Sequence, residues 1–311
     1  MENKKVMNRI QDLGAVIALI LLVAVISIIS PEFRTVKNFL SLLRQSSING
    51  LIAFGMTCVI LTGGIDLSVG SVLALTTAIC ASLIANGTPV AIAMIVALVL
   101  GVVFGIISGV FVTKGRLQPF IATLITMTVF RGLTMIFMDG KPISNLEDSY
   151  LLKFVGKGLI LNIPFPVIMF ILIFIGFMFI LERTTFGRKV YATGSNEKSA
   201  KLAGINIDKT KIATYAISGL MAAMAGLILL SRLGSAQPTL GDGYELDAIA
   251  AVALGGVSMN GGRGRIWGTF VGVLIIAVLN NGLNILGVSS YYQDVVKGLV
   301  ILIAVLSDRK R

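Results

Sequence analysis

The residues best suited to chemistry in this chain are few, and most are polar without being reactive. Asp66 stands in Gly63-Gly64-Ile65-Asp66-Leu67-Ser68-Val69-Gly70 with neutral sequence on both sides. An ionisable group in such a setting is a functional candidate by default. Two readings are open: contact with a substrate or proton, or an N-cap whose carboxylate satisfies free N–H groups where the next helix starts. Arg131 interrupts the otherwise neutral stretch from Pro119 to Met138. A bare guanidinium in hydrocarbon costs at least ~2.5 kcal/mol, so it must face the bundle interior, where it is a candidate for the substrate pathway, or snorkel toward the outer surface. Lys297 follows Asp294 by three residues, which permits a local pair on one helix face. Asn280, Asn281 and Asn284 occupy a further neutral stretch, with Asn284 sharing a face with each of the other two. Amides there must find partners in neighbouring helices or in a water-filled cavity. With Asn49, Ser68 and Gln118 they make a candidate path for hydroxylated, uncharged solutes.

Bond-making chemistry has little to work with. The 311 residues include no histidine, which excludes a His-based triad, a His proton shuttle and a His-ligated metal. Cys58 and Cys80 sit in apolar runs with no second ligand nearby, so neither a disulfide framework nor a thiolate metal site is indicated. No second carboxylate stands beside Asp66 or Arg131 to complete an acid–base pair. No G-x-x-x-x-G-K-[ST] occurs, so the chain lacks the usual P-loop cradle for nucleotide phosphates. Uphill transport would need an ion gradient or a partner ATPase, and the scarcity of embedded carboxylates argues against a proton relay.

The elements that must position these residues follow from hydropathy. Mean hydropathy is +0.93 and only 13% of residues are charged, against roughly 25% in soluble domains. Charge-free intervals run over 13–31, 45–65, 67–113, 158–181, 212–231, 248–262 and 266–293. The third is long enough for two helices, broken at Asn86-Gly87-Thr88-Pro89. The stretches 119–138 and 295–307 carry one cation each. The expectation is an all-α polytopic transmembrane bundle of about ten spans in a single domain over 1–311. The interval 248–262 is the weakest, short unless extended back toward Tyr244 past Glu245 and Asp247, with a tilted or re-entrant course open. The first interval is longer than the roughly 7–15 apolar residues of a signal peptide and lacks an Ala-x-Ala site, which favours a retained anchor.

Ten spans place both termini on one side. With the N-terminus inside, inner segments collect 17 of the 26 Lys and Arg residues and outer segments 7, with Arg131 and Lys297 inside spans. The excess of cations on inner loops points to cytoplasmic termini and explains the net charge of +11 without nucleic acid. Two stripes, Gly101/Gly105/Gly109 and Ser218/Ala222/Gly226, have the four-residue spacing that lets helix backbones approach. Ordinary bundle packing is the expected use, a dimer seam the lesser one. Leu61-Thr62-Gly63-Gly64-Ile65 and Ala253-Leu254-Gly255-Gly256-Val257 each end an apolar run, 192 residues apart. They hint at an internal duplication of the kind found in transporters.

The longest basic loop, 183–211, holds a punctuated short helix. Asn196 can cap it, Glu197 suits its first turn, Lys198 to Ala203 are helix formers and Gly204 stops it. Such a helix outside the membrane suggests a docking surface for another protein.

Several stretches resemble the permease subunits of bacterial ATP-binding-cassette sugar importers. They are NGLIAFGMTCVILTGGIDLSVGS from Asn49, TKGRLQPFIATLITMTVFRG from Thr113, FGRKVYATGSNEKSAKLAGI from Phe186, SRLGSAQPTLGDGYELDAIAAVALGG from Ser231, and GGRGRIWGT from Gly261. The resemblance covers essentially the whole chain. It implies a homodimeric permease in the cytoplasmic membrane, moving ribose or a related sugar by alternating access. It also implies a cytoplasmic ATP-binding subunit holding the ATP and Mg, an extracytoplasmic sugar-binding protein, and no cofactor on this chain. On the same resemblance the ATPase-coupling loop would use Gly187, Arg188, Gly194, Asn196, Glu197, Lys198, Ala200 and Gly204. Ser199-Ala200 after Glu197-Lys198 departs from the commoner Glu-Ala-Ala form. An ion-gradient-driven sugar transporter is the rival reading.

Overall fold

The computed structural model describes residues 2–144, 146 and 149–309, with side chains from 14 onward except at 304, 305 and 307–309. Lys310 and Arg311, used in the orientation count, lie outside the described residues, as do the side chains of Lys4, Lys5, Arg9 and Arg309. Ten helices fall on the ten expected intervals: α1 (Glu2–Ile29), α2 (Val36–Leu61), α3 (Val69–Ala85), α4 (Val90–Thr113), α5 (Pro119–Phe137), α7 (Phe165–Arg183), α10 (Ile207–Leu233), α11 (Tyr244–Leu254), α12 (Ile266–Ile285) and α13 (Ser290–Arg309). Three more lie between them: α6 (Tyr150–Lys157), α8 (Thr185–Ser195) and α9 (Glu197–Leu202). A two-stranded hairpin, β1 (Leu159–Ile160) with β2 (Ile163–Pro164), follows α6.

Two helices form the centre. In α2 every residue from Ser46 to Leu61 is buried, and α10 buries most of its length between Thr210 and Ser231. A helix apolar on all sides belongs inside a bundle. Helices α3, α4, α11 and α12 pack around this pair, while α5, α7 and α13 present rows of exposed Leu, Ile, Val and Phe on the periphery. Aromatic rings from three helices, Phe54 of α2, Phe170 and Phe174 of α7, and Phe270 of α12, stack between α2 and its neighbours.

The small-residue stripes are used within the chain. A methyl group at Gly105 would lie 2.9 Å from the Tyr215 carbonyl carbon, and one at Gly109 2.9 Å from Ile212 Cα, so α4 and α10 touch backbone to backbone. Gly226 likewise faces Leu73 and Thr77 of α3. The packing use holds for both stripes.

Helix α11 begins at Tyr244, the extension the sequence left open, and is short. It has eleven residues, about 16 Å at 1.5 Å per residue, half of a hydrocarbon core ~30 Å thick. The chain before it, 234–243, is a non-helical approach containing Gly234, Gly241 and Gly243 at φ of 71°, 82° and 82°. After it come Gly256, Gly261 and Gly262, also at positive φ. The interval is therefore a half-helix between two glycine-rich breaks, and the apolar length read from 248–262 overstates it because residues 255–265 are loop.

The paired glycine breakers correspond, one residue away from the expected register. At the end of α2, Gly64 N donates to Val59 O (3.1 Å) and Gly63 N to Ile60 O (2.8 Å). At the end of α11, Val257 N donates to Val252 O (3.3 Å) and Gly256 N to Ala253 O (3.0 Å). Both are Schellman ends, and Gly63 and Gly256 both have φ of 77°. Gly63 thus matches Gly256 rather than Gly255, because the left-handed position, not the Gly-Gly pair, defines the turn.

Candidate functional site

The polar residues picked out by sequence do not form one site. The structure gathers most of them in four places and scatters the rest. In the first, between α2 and α3, Asp66 is 1% exposed. Its Oδ1 accepts from Ser68 N (3.0 Å) and Ser68 Oγ (2.6 Å), and its Oδ2 accepts from Ser218 Oγ of α10 (2.8 Å). The Ser68 N–H contact serves the start of α3 as expected of a cap, although Ser68 itself stands at the position just before the helix. A chain of hydroxyls continues from Ser68 through Ser108 of α4 (3.4 Å) to Thr126 of α5 (3.0 Å). Tyr215 donates to Ile65 O (3.0 Å) and holds the same break against α10. The carboxylate thus takes hydroxyl donors from the start of α3 and from α10, and Ser108 donates onward to Thr126, linking α4 to α5 beside it.

The second place is centred on a residue the sequence left at the edge of an interval. Asp247, in the first turn of α11, receives Asn280 Nδ2 of α12 (3.1 Å) and Asn49 Nδ2 of α2 (3.3 Å) on Oδ2. Lys297 Nζ of α13 lies 3.1 Å from its Oδ1, against 3.9 Å from Asp294. Lys297 therefore pairs chiefly with Asp247 across helices, and the local pair with Asp294 is corrected to the weaker contact. Burial explains the preference: Asp294 is exposed, whereas the Asp247 side chain is 5% exposed and needs a cation. Among the described residues, Asn280 Oδ1 has no hydrogen-bond partner.

The third place is the approach to α11. Arg131 Nη1 of α5 donates to Pro238 O (2.7 Å) and Leu240 O (3.0 Å), and its guanidinium pairs with Asp242. Arg131 turns toward the 234–243 segment and pins its non-helical backbone. The two cations that interrupt neutral stretches thus hold the same segment, one before α11 and one at its first turn.

The remaining amides go elsewhere. Asn281 exchanges hydrogen bonds with Asn38 of α2 (2.8 and 3.0 Å), and Asn284 accepts from Gln293 Nε2 (2.9 Å). Asn280, Asn281 and Asn284 share no common ligand face, because each is used by a different neighbour. Gln118 is exposed at the start of α5, away from all of them. The partners Asn38, Ser108, Thr126 and Gln293 are not reached from the sequence, carrying no local signal of the helices they join, and Ser218 is given only a packing use there.

The fourth place is the basic loop, which holds two helices where one was expected. Thr184 caps α8 through Gly187 N (3.3 Å), and Asn196 caps α9 through Ser199 N (2.9 Å). Gly204, at φ 80°, ends α9, and Glu197 pairs with Lys211 of α10. Ala200 is buried, while Arg188 and Lys198 are exposed and Leu202 is 90% exposed. A groove of ≈ 580 Å³ opens beside α9, bounded by Glu197, Lys198, Lys201, the 204–206 turn and the first residues of α10. Gly187 and Gly194 face inward, where a side chain would meet Leu181 and Leu61 respectively. Tyr191 of α8 donates to Gly264 O (2.9 Å). Burial pushes its hydroxyl up to about 12, so it stays a neutral donor at physiological pH.

Comparison with known proteins adds three findings. Residues 38–305 match the family model described as "Branched-chain amino acid transport system / permease component". The chain is 58% identical to the ribose import permease protein of Bacillus subtilis (strain 168) over 97% of its own length and 94% of the relative's. It is 50% identical to the ribose import permease protein of Escherichia coli (strain K12), covering 96% and 93% of the two chains. With the D-allose transport system permease protein of the same strain it shares 40%, over 95% and 91%. No solved structure matches the chain.

Proposed function

The chain belongs to the family described as branched-chain amino acid transport system / permease component, and we propose that it is the transmembrane subunit through which an ATP-binding-cassette importer passes ribose. It is a polytopic helical membrane protein and a transport subunit, not an enzyme. ATP is used by a separate ATP-binding subunit, and a substrate-binding protein delivers the cargo. The observation that carries the substrate is the step in identity: relatives named for ribose match half or more of the aligned positions, and the relative named for allose matches fewer.

In the working complex the chain forms a homodimer in the bacterial cytoplasmic membrane, with both termini cytoplasmic. The loop 183–211 faces the ATP-binding subunit. Support for that role comes from α9, whose caps at both ends fix a helix that leaves Leu202, Lys198 and Lys201 exposed. Closure of the ATP-binding subunits moves this loop, and the pathway changes from one opening to the other. Asn49, Asn280 and Asp247 supply polar contacts along the path, where hydroxyls of a neutral sugar exchange with the interhelical hydrogen bonds they now make. Selectivity rests largely on the binding protein.

The test is uptake of radiolabelled ribose in cells lacking this chain, with and without its restoration. ATP depletion and collapse of the membrane potential are applied separately, and branched-chain amino acids and allose are used as competitors. The proposal expects restored uptake that follows ATP and resists the competitors. Uptake that follows the potential overturns the ATP-driven reading. Restoration of amino acid uptake alone overturns the substrate.

A further inference from the structure

The helix breaks of α2 and α11 meet, and α8 is keyed into their meeting point. Gly262 N, in the loop after α11, donates to Leu61 O, the last residue of α2 (2.9 Å). A methyl group on Gly261 would lie 2.7 Å from Gly63 N and 3.2 Å from Gly194 Cα. One on Gly194 would sit 2.6 Å from Gly262 N and 2.9 Å from the Leu61 carbonyl carbon. All but the 3.2 Å approach to Gly194 Cα are closer than a side chain tolerates, so three backbones from α2, α8 and the 258–264 loop touch without side chains between them. Tyr191 Oη to Gly264 O (2.9 Å) and Ser195 Oγ to Gly262 O (3.4 Å) fasten α8 to the same loop.

From this junction both buried polar networks are a short way off. Asp66 follows Leu61 by five residues, inside the break itself. Asp247 lies two turns up α11, which is locked to α12 where a methyl group on Gly255 would stand 2.6 Å from Thr269 N. Displacing α8 therefore moves the end of α2 and the loop below α11 together, since packed backbone does not compress. Resting on the proposed importer, we infer that Tyr191 and Gly194 of α8 are the positioning residues that transmit movement of the docking loop to the two helix breaks. Helix α9 provides the face the ATP-binding subunit meets, and α8 carries the displacement inward.

The experiment uses the whole complex, this chain with its ATP-binding subunit in proteoliposomes and the binding protein outside, and reads ribose imported per ATP hydrolysed. Tyr191→Phe removes one hydrogen bond and keeps the ring; Gly194→Ala places a methyl group in the junction. For Tyr191→Phe the inference expects unchanged co-purification of the ATP-binding subunit, unchanged basal hydrolysis, and roughly fivefold less ribose per ATP, the equilibrium factor of one hydrogen bond. Gly194→Ala should lose more. A ribose-to-ATP ratio equal to wild type in Tyr191→Phe overturns the inference, as does a fall in uptake matched by an equal fall in hydrolysis. Should Gly194→Ala fail to assemble, Tyr191→Phe decides alone. A wild-type complex that imports no ribose with ATP would instead remove the importer reading beneath it.

Discussion

Lys297 Nζ lies 3.1 Å from Asp247 Oδ1, joining α13 to the first turn of the half-helix α11 in a stretch where neither charge meets water freely. With Arg131 of α5 holding the preceding loop, this pair makes the half-helix segment a held element rather than a slack one. Its backbone before α11 is not helical, and such backbone is tolerated at membrane depth only where protein or a water-filled cavity surrounds it.

Replacing Lys297 by Met leaves the Asp247 carboxylate with only the amide donors of Asn49 and Asn280. Loss of one partner of a buried pair costs ~3–5 kcal/mol. Thermal unfolding of the purified subunit in detergent should show a clear fall in Tm. The double change Asp247→Asn with Lys297→Met removes both charges and should recover most of it; no recovery would show that the pair is not the source of the loss.

Arg131→Lys keeps the charge and loses the fork. A single ammonium cannot serve Pro238 O, Leu240 O and Asp242 in the arrangement the planar guanidinium allows. Hydrogen bonds from a charged donor are worth about 1.5–3 kcal/mol each, so the 234–243 loop should open locally. Limited proteolysis should cut it faster in the variant than in wild type, and equal cutting rates would refute the pinning role.

Two glycines in neighbouring helices should respond in opposite ways to alanine. At Gly105 the added methyl group meets the α10 backbone, whereas at Gly132 of α5 it would meet none of the described residues within 4 Å. Overpacking costs ~1–3 kcal/mol, while relief of glycine's flexibility in a helix gains up to ~1 kcal/mol. Gly105→Ala should lower Tm and Gly132→Ala leave it unchanged or raised. The reverse order would contradict the α4–α10 packing.

Asp66 and Ser218 should be energetically coupled, because Ser218 Oγ is the donor to Oδ2. A double-mutant cycle with Asp66→Asn and Ser218→Ala should return a coupling of ~0.5–3 kcal/mol. Additive effects would place the stabilisation by Asp66 in the Ser68 contacts alone.

The helical plan was legible because it depends on local properties. Charge is excluded from lipid, so neutral intervals coincide with helices, and the caps of α9 sit within a few residues of what they cap. The polar clusters were not legible, since each is assembled from helices far apart in the chain. Lys297 illustrates the difference: spacing offered Asp294 three residues away, and tertiary packing supplied Asp247. Asn281 and Asn284 share a helix face in the sequence yet turn to Asn38 and Gln293, because a helix surrounded by others has no single inward side. Asp247 was passed over as the boundary of an interval, although a carboxylate at the start of a short apolar run fits a half-helix N-terminus inside a membrane.

The most direct measurement is entry of radiolabelled ribose into proteoliposomes that contain this chain and its ATP-binding subunit, with ATP trapped inside, binding protein outside and no ion gradient. The account predicts accumulation that needs both the trapped ATP and the external binding protein. Accumulation without ATP under an imposed ion gradient, or none under any condition when the complex is intact, would contradict it.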